Sequence, residues 1–405
     1  MNSLPHFAYV MYWGALEPVG LATAVPTVLG LAEKARITLF SFEKNEDLED
    51  RSLKEAVHRR LAGAGVHWVQ LSYSPGYRRT PMDIRRGFQS ILRRHREDPF
   101  QVIEGRTFVG GFVSALASQS LGIPFLYHTE GCWLEEQVDV GRLSPRSPIW
   151  RGLRWAEDWT LRRANGLVAL TETGANRLKE RCGAVGKEVP ILVIPTTSTL
   201  VGQGPDVLRS RPIPPGDPIR AIYAGSVTGR YLFDELLTFF RELSDQRPGS
   251  TLEVLAHRDG DVAEGAIARQ RLGDRVKLGA VSHSELPSRL EGKDLGFFFL
   301  QQGDSAACVS PTKIPEYLEY GIPVVCTRAS GDGAWVIEQA RAGVILDDPS
   351  DPEERTQAQQ GLDALLVDPE RSLRAQAMAR QYYSLSEAVD RQLSVLLRLA
   401  KRGGA

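Results

Sequence analysis

The stretch Ser310-Pro311-Thr312-Lys313-Ile314-Pro315-Glu316-Tyr317-Leu318-Glu319-Tyr320-Gly321-Ile322-Pro323-Val324-Val325, downstream of the apolar run 295–300, reads as strand, loop, short helix, strand. Proline is excluded from a helix interior. The first four N–H groups of a helix lack intrahelical partners, however, so a helix capped by Thr312 accepts Pro315 three residues on. That placement frees the amides of Lys313 and Ile314 at the positive end of the helix, beside a lysine ammonium, which is a setting for phosphate. Glu316, one turn in, can accept hydrogen bonds from hydroxyls. A nucleotide-sugar answers both needs, although the same residues also describe an ordinary αβ unit with one solvated lysine.

Short apolar runs with strand character recur on either side of longer helix-like segments: residues 7–12, 37–42, 67–71, 101–104, 125–128, 167–170 and 191–194, then 219–224, 252–256, 276–278, 295–300 and 323–326. This alternation predicts parallel βαβ units. Between the two series lie Val201-Gly202-Gln203-Gly204-Pro205 and Arg211-Pro212-Ile213-Pro214-Pro215-Gly216-Asp217-Pro218, a Pro/Gly-rich break that reads as a linker. The expectation is α/β, with two doubly wound Rossmann-like domains facing each other across a ligand cleft at the carboxyl ends of their strands. The boundaries are 1–200, linker 201–218, and 219–380. A last helix, within 381–405, has apolar Val389, Leu393, Leu396, Leu397 and Leu399 at helical spacing.

With 405 residues, 42% of them apolar and 24% charged, and a formal net charge of -1, the chain has the composition of a globular protein long enough for two domains and no general affinity for polyanions. Residues 7–32 contain no Lys or Arg, and Pro18, Gly20 and Pro26 interrupt their apolar run, so a first strand, loop and helix is expected rather than a signal peptide or anchor. Cys132, Cys182, Cys308 and Cys326 form no CxxC pair and have no histidines at metal-ligand spacing, which predicts reduced thiols, no zinc site and a cytoplasmic setting.

The stretch 310–325 resembles the donor-binding motif of retaining glycosyltransferases of the GT-B fold, the group 1 or GT4-like family. That motif carries two glutamates before a Gly-Pro-Val-Val-like ending. Here the second falls on Glu316, the ending on Gly321 to Val325, and the first on Cys308. The departure resembles a subtype in which Ser-Pro-Thr-Lys replaces a glycine-rich loop and the first acid is missing. The hexose contact given by that acid then has no assigned residue. The resemblance implies that Ser310, Thr312, Lys313, Ile314 and Glu316 bind the donor, with Glu316 on the ribose hydroxyls, and that the last helix crosses back to the first domain.

Tyr223-Ala224-Gly225-Ser226-Val227-Thr228-Gly229-Arg230-Tyr231 reads as strand, Gly-rich turn, helix. Glycine lets a backbone approach phosphate closely, the hydroxyls add donors and Arg230 adds a fixed cation. Alone such a turn is an ordinary feature. In the family a Gly-Arg occupies this place, and with Ser226 at the arginine position, Gly225, Ser226 and Arg230 become the diphosphate candidates. The loop Trp13 to Gly20 borders the cleft in GT-B enzymes, so Gly14 and Gly20 are carried over, and Ser41-Phe42-Glu43-Lys44 resembles the subtype's second strand. His283, after the strand at 276–278, is a base-side candidate or a plain turn residue, and His257-Arg258-Asp259 is a comparable rim segment.

Tyr127-His128-Thr129-Glu130-Gly131-Cys132-Trp133-Leu134-Glu135-Glu136 follows a strand end and holds an imidazole and carboxylates suited to orienting or deprotonating a hydroxyl. The resemblance puts an acceptor-side residue here, so His128 and Glu130, with Glu136 behind them, are the candidates. Arg78-Arg79, Arg85-Arg86 and Arg93-Arg94-His95-Arg96 surround a helix with Ile84, Phe88, Ile91 and Leu92 on one side. Such runs are usually solvated. The functional reading is contact with anionic lipid at the inner face of the membrane or with a lipid-diphosphate acceptor. Interleaved aromatics are lacking, which argues against nucleic acid.

The resulting expectation is a cytoplasmic, metal-independent, retaining hexosyltransferase without cofactor. It would take a nucleoside-diphosphate sugar and a glycan, lipid-linked or small-molecule hydroxyl acceptor, in surface polysaccharide or glycoconjugate assembly. Lys313, Arg230 and the helix start would hold the leaving-group charge in place of a metal, since no Asp-x-Asp motif is present. The alternatives are a GT-B nucleotide-sugar epimerase and a non-catalytic nucleotide-sugar binder.

Overall fold

The structure, a computed structural model, describes residues 4–73, 76, 79–206, 210–256, 259–281 and 285–403. His283, His257, Arg258 and Arg78 therefore lie outside the described residues.

Two compact units divide the chain. The first comprises residues 1–134, 143–195 and 385–405, and the second 135–142 and 196–384. In the first, β1 (His6–Met11), β2 (Arg36–Glu43), β3 (His67–Ser72), β4 (Val102–Arg106), β5 (Phe125–His128), β6 (Gly166–Ala169) and β7 (Ile191–Val193) form a sheet of order 3-2-1-4-5-6-7. In the second, β8 (Arg220–Ala224), β9 (Thr251–Leu255), β10 (Val276–Gly279), β11 (Leu295–Phe298), β12 (Val324–Thr327) and β13 (Gly343–Leu346) repeat it as 10-9-8-11-12-13. The named strands pair in parallel throughout. Buried on both faces, such strands are near-continuous apolar runs: β1 and β5 have every residue buried. The order reverses between β1 and β4 in the first unit and between β8 and β11 in the second. In an open α/β sheet these are the switch points beyond which ligands bind.

Both domains of the expected α/β architecture are present, and twelve of the thirteen strands fall within two residues of their predicted bounds. The thirteenth, β13, is a half-exposed edge strand that the sequence reading omitted. Gly343 is required there, because a Cβ would lie 2.0 Å from the Val324 carbonyl oxygen.

The segment read as a linker lies on the second unit. Ile213 is buried and its amide donates to Leu366 O at 2.9 Å. The Gly204 amide reaches Glu319 Oε1 at 3.1 Å, and buried Arg247 donates to the carbonyls of Pro214 and Asp217. Prolines left these carbonyls without ladder partners, and long side chains from the unit supply them. The helix Leu385–Gly403 belongs to the first unit, where Val389, Leu393, Val395, Leu396 and Leu399 join the core formed with β1, β2 and the helix Val25–Ala32. Gly30 gives it room, since a Cβ there would meet Val389 at 2.8 Å.

The expectation of four reduced thiols is corrected, since Cys132 and Cys308 are not free thiols. Cys182 and Cys326 are free and buried, and burial pushes the Cys326 thiol up to about 12. Among the described residues no helix is long and apolar enough to cross a membrane, and no group of His, Cys, Asp or Glu could hold a metal ion.

Candidate functional site

In the second unit the candidates gather at the ends of β8 and β11. The helix Lys313–Glu319 begins where the sequence placed it, with Pro315 in its first turn. Thr312 occupies the position before it in αR geometry, and its side chain makes no capping bond, which corrects the expected cap. The Ser310 hydroxyl instead accepts from the Thr196 amide at 2.9 Å, fixing the loop that leads in. Ile314 and Glu316 are buried, and one Glu316 oxygen takes the Lys313 ammonium at 3.1 Å while the other takes the Ser198 hydroxyl at 3.3 Å. A carboxylate buried at this depth requires such partners. Its remaining lone pairs and the partly exposed lysine are the groups a ligand with hydroxyls and phosphate would meet. Tyr317, one residue on, is buried, and its hydroxyl accepts the Ala224 amide at 2.8 Å, tying this helix to the end of β8.

The turn after β8 is closed on itself by Asp259. Its Oδ2 accepts from the Ser226 hydroxyl, from the Val227 amide at 3.2 Å and from the Thr228 hydroxyl at 3.2 Å. The Ser226 hydroxyl, chiefly, then the amide and the Thr228 hydroxyl, hold the Asp259 carboxyl below its ordinary 3.8 against the effect of burial. A carboxylate thus fills a cradle of one amide and two hydroxyls, groups that would equally suit a phosphate oxygen. Gly225 precedes it and donates its amide to Leu255 O at 3.1 Å, while Gly229 has φ of 74°, as such a turn requires. The Arg230 guanidinium lies 3.7 Å from Glu136, the reserve acceptor-side candidate. Nearby Asp139 accepts from the amide and hydroxyl of Ser305 at 2.8 and 2.7 Å.

The first unit carries a polar cluster at the ends of β1, β4 and β5. Register puts Tyr9 beside Glu104 and Arg106 beside His128, on one face of the sheet. Arg106, buried, donates to Glu130, to the Tyr9 hydroxyl at 2.9 Å and to the Thr23 hydroxyl at 3.4 Å. Burial alone would lower its pKa; Glu130 and then Tyr9 outweigh this and raise it. Thr23 sits on the π-helical turn Gly20–Ala24, a rare element that is frequent at functional sites. His128 Nδ1 is 3.2 Å from Glu104 Oε1, and Gln392 Nε2 lies 2.7 Å from both Glu104 oxygens. Beyond Arg106, Thr107 has φ of 69°, costly for a β-branched residue. Its amide donates to His128 O at 3.1 Å.

Gly14 and Gly20 have packing reasons to be glycine. A Cβ on Gly20 would lie 2.1 Å from Gly14 O, and one on Gly14 would lie 2.5 Å from a Glu43 oxygen. Glu43 is buried and accepts from the amides of Ala15 and Leu16 at 2.8 and 3.2 Å; burial raises its pKa above the ordinary value. The loop is folded around this carboxylate. On the helix Thr80–Glu97, Arg86 and Arg94 are used internally, on Ser72 O with Asp83 and on Glu97 with Asp98, which leaves Arg85, Arg93 and Arg96 exposed. A pocket of about 300 Å³ lined by Arg241, Asp245, Arg269 to Leu272 and Arg275 shares no residue with either cluster.

Sequence reading missed Glu104, Arg106 and Ser198, and it named Glu43 only as second-strand scaffold and Asp259 only within a rim segment. Only the first two carried a usable signal, as charged residues at the end of an apolar strand.

Residues 25–197 match the family described as Glycosyl transferase 4-like domain. Among solved structures, sucrose-phosphate synthase from Thermosynechococcus elongatus superposes with a TM-score of 0.71 at 15% identity, covering 97% of this chain and 98% of that one. Anabaena Alr3699/HepE, solved in complex with UDP, gives 0.69 at 15% identity over 97% and 100%. A glycosyltransferase from Rickettsia africae gives 0.66 at 11% identity over 99% and 100%. No curated protein matched the chain. The chain has the GT-B fold, built from two Rossmann-like domains.

Proposed function

We propose that the chain is a GT4-like glycosyltransferase of the Ser-Pro-Thr-Lys subtype. It moves a hexosyl group from a nucleoside-diphosphate sugar to an acceptor hydroxyl with retention of configuration. The observation that carries the reading is the buried Glu316 carboxylate held between Lys313 and Ser198 at the start of the helix Lys313–Glu319, at the switch point of the second sheet. The glycosyl transferase 4-like match and the UDP held by the Anabaena protein of the same fold support it.

In this mechanism Glu316 accepts hydrogen bonds from the ribose. Lys313 and Arg230, with the first amides of the helix, stabilise the negative charge that grows on the departing diphosphate. These cations do the work without a metal ion. Ser226 and Thr228 turn to a phosphate oxygen as Asp259 yields the cradle. His128 meets the acceptor hydroxyl, whereas Glu130 acts through Arg106, with which it is paired. The acceptor is a glycan, a lipid-linked sugar or a small molecule, and the setting is polysaccharide or glycoconjugate assembly on the cytoplasmic side. Arg85, Arg93 and Arg96 contact anionic lipid there.

A thermal-shift panel of UDP-, GDP- and dTDP-sugars tests the donor half. Stabilisation by one base class in the wild type, reduced at least tenfold in apparent affinity in Lys313→Ala, is expected. Absence of any shift would overturn the reading in favour of a chain that binds no nucleotide-sugar. Binding without transfer to any acceptor, or with epimerisation of the donor, would favour the binder or the epimerase.

A further inference from the structure

We infer that Gln392 and Glu104 are positioning residues for His128, fixing its imidazole so that Nε2 is the nitrogen presented to a ligand hydroxyl. Three side chains from distant parts of the sequence form one hydrogen-bonded line. Gln392, on the last helix, donates at 2.7 Å to Glu104 near the end of β4. The Glu104 carboxylate in turn lies 3.2 Å from Nδ1 of His128, at the end of β5. All three are at least 96% buried, with exposures of 1%, 1% and 3%. An amide nitrogen can only donate, so Gln392 requires Glu104 to be the acceptor. An ionised carboxylate can only accept, so Glu104 requires the proton of a neutral imidazole to be on Nδ1. Nε2 then carries the lone pair. It is buried and has no hydrogen-bond partner among the described residues.

A buried nitrogen lone pair without a partner costs free energy unless a donor completes it. The donor it fits is an O–H. The backbone of Thr107 is tied to that of His128, its amide donating to His128 O at 3.1 Å; its own hydroxyl is also buried without a hydrogen-bond partner among the described residues, and its φ is 69°. Two unfilled polar atoms and a strained residue at a sheet's switch point mark a place where a polyhydroxylated ligand supplies what the fold leaves out. The same outer-shell logic that fixes histidine tautomers at metal centres applies here with a hydroxyl as the target. This rests on the acceptor-side role proposed for His128. It adds that the geometry of that role is set from the opposite end of the chain.

The test is 15N NMR of the full-length protein labelled at histidine, with His128 assigned by its loss in His128→Gln. Wild type is compared with Gln392→Met and Glu104→Gln, and UDP, GDP and dTDP binding is measured on each. In the wild type the Nδ1–H tautomer is expected, with Nε2 unprotonated. In Glu104→Gln, and to a lesser degree in Gln392→Met, the population shifts toward Nε2–H, while nucleotide affinity, which belongs to the second unit, stays within about twofold. A wild-type His128 protonated on Nε2, or a tautomer unchanged in both variants, would overturn the inference even if nucleotides bind. Failure of every nucleotide to bind the wild type, with the Nδ1–H tautomer intact, would count against the proposed function and leave the positioning intact. Gln392→Met lies on an outer helix, so it reports even if Glu104→Gln does not fold.

Discussion

Removing one oxygen atom, in Tyr317→Phe, tests how the second unit holds its two candidate loops together. The ring stays, and it is needed: it packs so closely on β11 that a Cβ on Gly296 would lie 2.7 Å from it. Only the hydroxyl goes, and with it the acceptor for the Ala224 amide at 2.8 Å, at the entry to the Gly-rich turn. Both residues are buried, so water does not replace the lost partner. An unsatisfied buried N–H costs about 1–3 kcal/mol. For a cooperative unit of this size that lowers the unfolding midpoint by roughly 2–12 °C. The same loss should speed hydrogen exchange at the Ala224 amide roughly 5- to 150-fold if it exchanges through an opening that includes this bond. Calorimetry and exchange read by NMR or mass spectrometry make the two measurements. An unchanged midpoint together with unchanged exchange at Ala224 would refute the argument that this hydroxyl secures the strand end.

Acid should release the turn that Asp259 closes. Its folded pKa is depressed below 3.8, so its stabilising contribution is present above that value and is lost as pH falls through the folded value. Urea midpoints of wild type and Asp259→Asn should therefore differ at neutral pH, by under about 1 kcal/mol for a group so little buried, and converge once the pH has fallen below the folded value. A difference that persists unchanged into acid would contradict the assignment. In the first unit, Glu130→Ala leaves the buried Arg106 guanidinium without its counter-charge and should cost about 3 kcal/mol. Adding Arg106→Met should return most of it, as read by thermal denaturation, and equal losses in the single and double variants would show that the pair is not the cause.

The sheets were readable because parallel strands buried on both faces stand out as unbroken apolar runs, and the Gly/Pro content between them marks their ends. β13 escaped because an edge strand that is half exposed carries a weaker signal. The start of the donor-side helix was legible from Pro315, whose missing N–H fits few positions. The cap was not, because Ser310 and Thr312 are chemically alike, and which hydroxyl is used depends on Thr196, 114 residues away in sequence from its partner. The cluster around His128 was legible only at His128 and Glu130, which share a strand end. Glu104 and Arg106 read as the polar tail of a strand. Their roles come from Gln392, Thr23, Tyr9 and Glu130, whose approach is set by register and by the return of the last helix. Glu43 and Asp259 illustrate the same limit: a carboxylate that closes its own loop looks, in sequence, like one waiting for a ligand.

The return of the helix Leu385–Gly403 to the first unit also bears on the order in which the protein can be completed during synthesis. When residue 195 has been made, the first sheet has all seven strands, but the groove beside Gly30 is empty and Glu104 lacks the amide that Gln392 will bring. The second unit draws almost wholly on the continuous segment 196–384 and can close first, although it begins later. The half of the protein translated earliest is thus the last to be sealed. A circular permutant that starts with the final helix and continues into β1 should acquire its first unit early, with strand-end chemistry that no longer waits for the other half.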